Sequence, residues 1–339
     1  MPPAATRRVL LPLQISQDPP PAGGVLREFR GESMGTSWSV RLVAGGSSAD
    51  FQAGLQAELD RVVAQMSHWE AGSDLGRFNR APAGTWQVLP EEFFKVLSFA
   101  AAVANVTGRA CDPTAGVLVN LWGFGPGGRF GQPDFVPPSR QEAQSLAAQH
   151  ARTSLELDPP RRRAFQPGGM QLDLSAVAKG YGVDCLARYL EGQGVRDYLV
   201  EVGGELRGAG VKQDGLPWWV ALEQVEGSGA EEIVAALHGL AVATSGDYRR
   251  YFTHEGRRVA HTIDPRNGMP VANGVASVTV IHEECMAADA WSTALTVLGV
   301  REGLLLAERK GLAAHFVVRE GEGLREYMSS RFRGMLEQE

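Results

Sequence analysis

Val177-Ala178-Lys179-Gly180-Tyr181-Gly182-Val183-Asp184-Cys185-Leu186-Ala187-Arg188-Tyr189-Leu190 runs through Glu191-Gly192-Gln193-Gly194 into Val195-Arg196-Asp197-Tyr198-Leu199-Val200-Glu201-Val202. The first part reads as a helix stopping near Gly192 and Gly194, since glycine closes helices in the left-handed conformation. The second part reads as a strand. Further strand candidates follow at 218–222, 239–243 and 276–281, then a helix at 301–310 closed by Gly311 and a last strand at 314–318. Upstream, residues 29–43 alternate as strands interrupted by Met34-Gly35-Thr36. Phe51, Leu55, Leu59, Val62, Val63 and Met66 have helical spacing. Pro90-Glu91-Glu92 opens a helix reaching toward Gly108, with proline at its start and acids in its first turn. Ser139 and Glu142 form a capping box for a helix through about Ala148. Residues 121–138, rich in Gly and Pro, read as a long loop. Without a regular strand–helix–strand alternation, the pattern predicts an α+β fold of mixed sheets with packed helices, not a doubly wound parallel sheet.

With 339 residues there is ample material for a core, in one large domain or two. We expect a flexible lead-in over 1–25 and one domain over 26–339, with an internal boundary allowed near 125–140. Apolar residues make up 44% and charged residues 21%, as in soluble globular proteins. A net charge of −6 gives no electrostatic footprint for nucleic acid. Cys111, Cys185 and Cys285 are odd in number and far apart, so neither a disulfide framework nor a zinc site is indicated. No transmembrane segment is indicated, since no stretch has the ~18–20 apolar residues a span requires. Thr6-Arg7-Arg8-Val9-Leu10-Leu11-Pro12-Leu13 begins like an export signal, but its apolar run stops at Gln14, with no lipobox cysteine after it. Pro19, Pro20, Pro21, Gly23 and Gly24 read as the flexible lead-in. The expectation is a cytoplasmic protein as written, or a periplasmic one if the true N-terminus is missing.

Chemistry-bearing residues gather in six segments. In Ala287-Ala288-Asp289-Ala290-Trp291-Ser292-Thr293-Ala294-Leu295, Asp289 and Thr293 are four apart on a predicted helix and share a face. A carboxylate and a hydroxyl so placed suit a hard cation such as Mg²⁺. In Asp173-Leu174-Ser175-Ala176-Val177-Ala178-Lys179-Gly180, Asp173 is placed to cap a helix beginning near Ser175, whose free N–H groups attract phosphate. Lys179 adds a cation, and Gly180 and Gly182 leave room for close approach. Gly203-Gly204-Glu205 lets the backbone approach a ligand, with Glu205 at a loop edge. Thr244-Ser245-Gly246-Asp247-Tyr248-Arg249-Arg250-Tyr251 reads as a backbone-rich turn, and His261-Thr262-Ile263-Asp264-Pro265-Arg266-Asn267-Gly268 as a tight loop after a short strand. Ser67-His68-Trp69 through Asn79 mixes aromatic and polar groups, and Trp69 or Phe78 could stack on a planar ring.

Together these segments resemble the ApbE-type FAD:protein FMN transferases, in the family's order, over about residues 30–320. Met34-Gly35-Thr36, Ser73-Asp74-Leu75-Gly76-Arg77-Phe78-Asn79, Cys111-Asp112-Pro113-Thr114 and Leu121-Trp122-Gly123-Phe124-Gly125 add to the likeness. Glu205 replaces the family's usual Asp, Gly76 a Ser and Asn267 a Thr, and the export signal of many members is missing. The resemblance implies an ApbE-like, T-fold-related architecture. It implies transfer of the FMN half of FAD, with Mg²⁺, onto a Thr or Ser hydroxyl of an acceptor redox protein carrying a flavinylation motif, releasing AMP. Asp289, Thr293 and the Ala176 carbonyl are then the metal ligands. Lys179 and Ser175 sit near the phosphates. Met34, Glu205, Thr244, Ser245, Gly246 and Asp247 line the nucleotide pocket; Ser73, Phe78 and Asp112 complete the flavin surroundings. His261 and Asp264 handle the acceptor proton, with Lys179 as a further catalytic group and His261 also touching the nucleotide. Two rivals stay open: an FAD pyrophosphatase using water as acceptor, and an FAD-binding protein without turnover.

Overall fold

The computed structural model describes residues 7–13, 19, 23–45, 50–225, 231–248, 250–254, 256–321 and 323–336. Thr6, Gln14, Pro20, Pro21 and Arg249, which entered the sequence reading, lie outside the described residues.

An eight-stranded sheet organises the chain. Its order is Val25–Ser33, Thr36–Ala44, Asp197–Val202, Glu205–Ala209, Leu240–Gly246, Val275–His282, Ala313–Glu320 and Gly323–Met328. Every neighbouring pair is antiparallel. The fold is therefore α+β, as the irregular succession of elements predicts. Alternation explains its two packed faces, because successive side chains on a strand point to opposite sides. Trp38, Val40, Leu42, Tyr198, Val200 and Val202 pack with Leu55, Leu59, Val183, Leu186 and Leu190 of the Gln52–Met66 and Ala178–Gly192 helices. On the same side Val278, Val280 and Phe316 meet Ala288, Leu295 and Leu306 of the Cys285–Lys310 helix. Val43, Val242 and Ile281 point the other way. They pack on Trp218, Ile233 and Leu237 of a small sheet built from Arg7–Leu10, Glu232–Leu237 and Trp218–Ala221.

Residues 74–170 build a further body of short elements around Phe78, Phe93, Leu97 and Leu172. The predicted capping box is formed: the Ser139 hydroxyl accepts from Glu142 N–H, and the Glu142 carboxylate accepts from Ser139 N–H. That helix is Arg140–His150. Pro90 is the N-cap of Glu91–Val106. Residues 121–138 are not entirely loop, since Phe124–Gly125 and Gly128–Arg129 pair as a short hairpin. Gly299, at φ 76° and ψ 176°, breaks the Cys285–Lys310 helix in two. Among the described residues no helix is long and apolar enough to cross a membrane.

Candidate functional site

A cavity of about 790 Å³ opens between the Met34–Gly35 turn, the end of the Gln52–Met66 helix, the 123–130 loop and the 174–179 turn. Lys179, Arg129 and Arg250 bring three cations to its wall, and Trp69 an indole. Met34 holds φ 53° in the turn between the first two strands of the main sheet, and its side chain packs on Gly182. The arginines are arranged around the indole: Arg129 Cζ lies 4.4 Å and Arg250 Cζ 5.6 Å from the Trp69 ring centroid. Such cation–π contacts hold a guanidinium without neutralising it. Burial, then the neighbouring Arg129 charge, lowers the pKa of Arg250. His68 meets Trp69 at 5.1 Å between ring centroids, and its Nδ1 lies 3.5 Å from Asp173 Oδ1.

The floor departs from the predicted helix start. Asp173 Oδ1 accepts from Ser175 N–H at 2.8 Å, but this closes a turn over Ser175, Ala176 and Val177. The helix begins only at Ala178, capped by Val177 without a side-chain bond. The delay matters at Gly180. Its N–H, which in a continuing helix would bond the Ala176 carbonyl four residues back, donates instead to Asp289 Oδ2 at 3.0 Å. The carbonyl of Ala176 thereby loses its ladder partner. Gly180 also lets two helices touch, since a Cβ there would lie 2.4 Å from the Cys285 carbonyl oxygen and 2.8 Å from Asp289 Cβ. The room read for close approach is filled at Gly180 by the Cys285–Lys310 helix and at Gly182 by Met34 and Leu59.

Asp289 is 4% exposed. Burial raises its pKa, opposed by the Lys179 charge and the Gly180 N–H. Thr293 Oγ1 lies 3.0 Å from Ser245 Oγ, which also meets Ser292 Oγ at 2.8 Å. The segment read as a turn at Thr244 to Gly246 is the end of the Leu240–Gly246 strand, pleated so that the Thr244 hydroxyl pairs with Thr279 at 2.8 Å. Asp247 follows, held by Arg319 at 2.6 and 2.8 Å. Glu205 begins a strand and is buried, not at an open loop edge, and its carboxylate pairs with Lys179.

His261 stands near this group. Its Nδ1–H donates to the Arg250 carbonyl at 3.0 Å, which leaves Nε2 as the basic nitrogen. Burial, and then the Arg250 and Lys179 charges, lower its pKa to about 4. Asp264 does not orient it. Both Asp264 oxygens are clasped by Arg266 at 2.9 Å, and Asn267 donates at 3.2 Å, so this carboxylate holds its own tight loop. Three more predicted residues are structural. Ser73, 1% exposed, caps the Asp74–Asn79 helix through Gly76 N–H and donates to the Ser67 carbonyl. Phe78, 1% exposed, belongs to the core. Burial would raise the Asp112 pKa, but bonds from His150 and Thr114 and the Arg109 charge hold it well below the carboxylate range. Arg129 and Phe130 were missed by the sequence reading; the available signal was an arginine within the glycine-rich loop.

Comparisons with known proteins converge on one family. The ApbE family profile matches residues 34–316. A curated FAD:protein FMN transferase from Vibrio cholerae is 38% identical over 90% of this chain and 91% of its own. One from Escherichia coli K12 is 34% identical over 91% and 88%. The crystal structure of the flavinyl transferase ApbE of Pseudomonas stutzeri, in its apo form, superposes with a TM-score of 0.82. It is 37% identical and covers 92% of this chain and 97% of its own. The ApbE protein of Thermotoga maritima gives 0.79, with 30% identity over 93% and 100%.

Proposed function

The chain belongs to the ApbE family, and from that premise we propose that it is an FAD:protein FMN transferase that uses Mg²⁺. It moves the FMN half of FAD onto a Thr or Ser hydroxyl of an acceptor protein. The acceptor oxygen bonds to the FMN phosphorus, the bond from that phosphorus to the bridging oxygen breaks, and AMP leaves with that oxygen. The observation carrying this reading is a cavity walled by three cations and an indole, lined by Lys179, whose neighbour Gly180 donates its N–H to the buried carboxylate of Asp289.

The donor set suits magnesium. Among the described residues no three His, Cys, Asp or Glu gather as a cage. One carboxylate, one hydroxyl and one carbonyl are hard oxygens, and Mg²⁺ is commonly held by one or two carboxylates with substrate phosphates filling the rest. Burial penalises the Asp289 charge, and a cation relieves that penalty. Bound there, Mg²⁺ neutralises charge on the diphosphate.

The protein's own groups do the positioning. Lys179, kept in place by Glu205, and the guanidiniums of Arg129 and Arg250 attract the diphosphate. Trp69 offers a stacking surface for the flavin ring. Met34 and Ser175 line the same cavity. His261 is neutral at pH 7, and its Nε2 accepts the hydroxyl proton of the acceptor. Ser245 steadies the Thr293 hydroxyl.

The test is incubation with FAD and Mg²⁺, following AMP with and without a threonine acceptor peptide and with EDTA. Flavin fluorescence that stays on the acceptor through a denaturing gel is the expected result. AMP with free FMN in both arms would replace transferase by pyrophosphatase, and FAD binding without AMP in either arm would end the catalytic reading.

A further inference from the structure

The hairpin of Tyr251–His254 and Arg257–Ala260 has two unlike faces. Phe252 faces inward, stacked on Phe130 at 5.5 Å and meeting Phe124 at 5.6 Å and Phe135 at 5.8 Å between centroids. Val259, opposite Phe252, is buried on the same face. Tyr251, Thr253 and Arg258 are exposed. Tyr251 is 40% exposed, and the Arg258 guanidinium lies 4.2 Å over its ring. Among the described residues the hairpin pairs with no third strand, so its edges are open. It is also tied to the cavity. Arg250, directly before it, lines the cavity, and its carbonyl holds His261.

Charge adds a second observation. Residues 249–258 contain four arginines and one glutamate, in a chain of net charge −6. Asp247 approaches Arg258 at 3.9 Å, but its carboxylate is committed to Arg319.

We infer that the outer face of this hairpin, centred on Tyr251 and Arg258, docks the acceptor protein by recognising an acidic segment beside the hydroxyl that receives FMN. The inference rests on the cavity being the FMN-transfer site. A protein hydroxyl entering the cavity brings its flanking chain across the rim, where this hairpin lies. Tyr and Arg are the residue types that dominate the centres of interfaces. Their stacking here leaves less side-chain freedom to lose on docking. Local positive charge on a negative molecule favours an acidic partner and repels others. The open edge offers backbone hydrogen bonds to an extended segment.

Two synthetic peptides of equal length test this. Each has one central threonine, flanked in one by Asp and Glu and in the other by Asn and Gln. Fluorescence anisotropy follows their binding to the full chain loaded with FAD and Mg²⁺. The acidic peptide binds about tenfold more tightly at low salt, and the advantage shrinks as ionic strength rises. Arg258→Gln with Tyr251→Ala removes the preference and leaves flavin quenching unchanged. Equal binding of both peptides, or a preference that survives in the double variant, overturns the docking surface. So does co-sedimentation with phosphatidylserine vesicles that depends on these two residues without any peptide preference, which would assign the face to a membrane. Wild-type protein that binds no FAD overturns the reading of the cavity, whatever the peptides do.

Discussion

Burial raises the pKa of Asp289, while the Lys179 charge and the Gly180 N–H oppose the rise. A carboxylate with a raised folded pKa stabilises the fold less as pH climbs past its unfolded value. Asp289→Asn removes that burden, so it is expected to raise the melting temperature of the metal-free chain. The same change is expected to abolish the shift caused by Mg²⁺ and FAD and to lower AMP release by roughly a hundredfold or more. Calorimetry with and without EDTA checks both; an Asn variant that keeps its Mg²⁺ response removes Asp289 from the metal site. His261 titrates in the other direction. Its folded pKa is near 4 against an ordinary 6.5, so between these values the unfolded chain binds more protons and stability rises with pH. Stability from the neutral ring is complete above 6.5 and lost toward 4. If Nε2 takes the acceptor proton, the acid limb of turnover lies near 4, and His261→Gln removes it. A limb at 6.5 that survives the substitution would assign the proton to another group.

At the scale of elements, two glycines of the Ala178–Gly192 helix separate propensity from packing. Alanine is preferred over glycine in a helix by about 1 kcal/mol. At Gly192 an added Cβ meets nothing within 4 Å, so Gly192→Ala is expected to stabilise by about 0.5–1 kcal/mol. At Gly180 the same methyl would strike the Cys285 carbonyl at 2.4 Å. That atom is backbone of the facing helix and cannot swing away. Overpacking of this kind costs about 1–3 kcal/mol, so Gly180→Ala destabilises despite the better propensity, and it displaces Asp289. Urea unfolding of the two variants gives opposite signs if this packing is right. Elements of this kind were legible where the cause is local. Ser139 and Glu142 carry their cap in four residues, and the separate helix read over 301–310 matches the break that the structure places at Gly299. The helix start read near Ser175 from the Asp173 cap fails, because the Gly180 N–H is diverted by a carboxylate 109 residues away.

Across the whole molecule, the cavity joins residues from Met34 to Arg250, and Gly180, the neighbour of its Lys179, bonds Asp289. Short motifs name such residues one by one, but their meeting depends on long-range strand pairing and helix contact. That is why short motifs single out Asp289, Thr293, Ser245 and Lys179 as chemistry-bearing, and single out Ser73, Phe78 and Asp112 in the same way. The latter three have side chains equally fit for a site, yet their bonds and burial commit them to the body formed by residues 74–170. Arg129 escaped because nothing near it in sequence announces that a separate segment, 250–261, will close beside it around Trp69. The assembly makes a prediction for the intact chain. A ligand that binds the folded form alone stabilises by mass action, about 2.7 kcal/mol at a hundredfold excess over Kd. FAD with Mg²⁺ is therefore expected to raise the melting temperature by several degrees, and FAD with EDTA by less. Arg129→Ala and Arg250→Ala should each shrink the shift obtained with FAD while leaving the unliganded melting temperature within about a degree, since their ring contacts contribute only ~0.5–1 kcal/mol at exposed sites. A full shift in the Arg129→Ala, Arg250→Ala double variant would show that these guanidiniums pack on Trp69 without reaching the diphosphate.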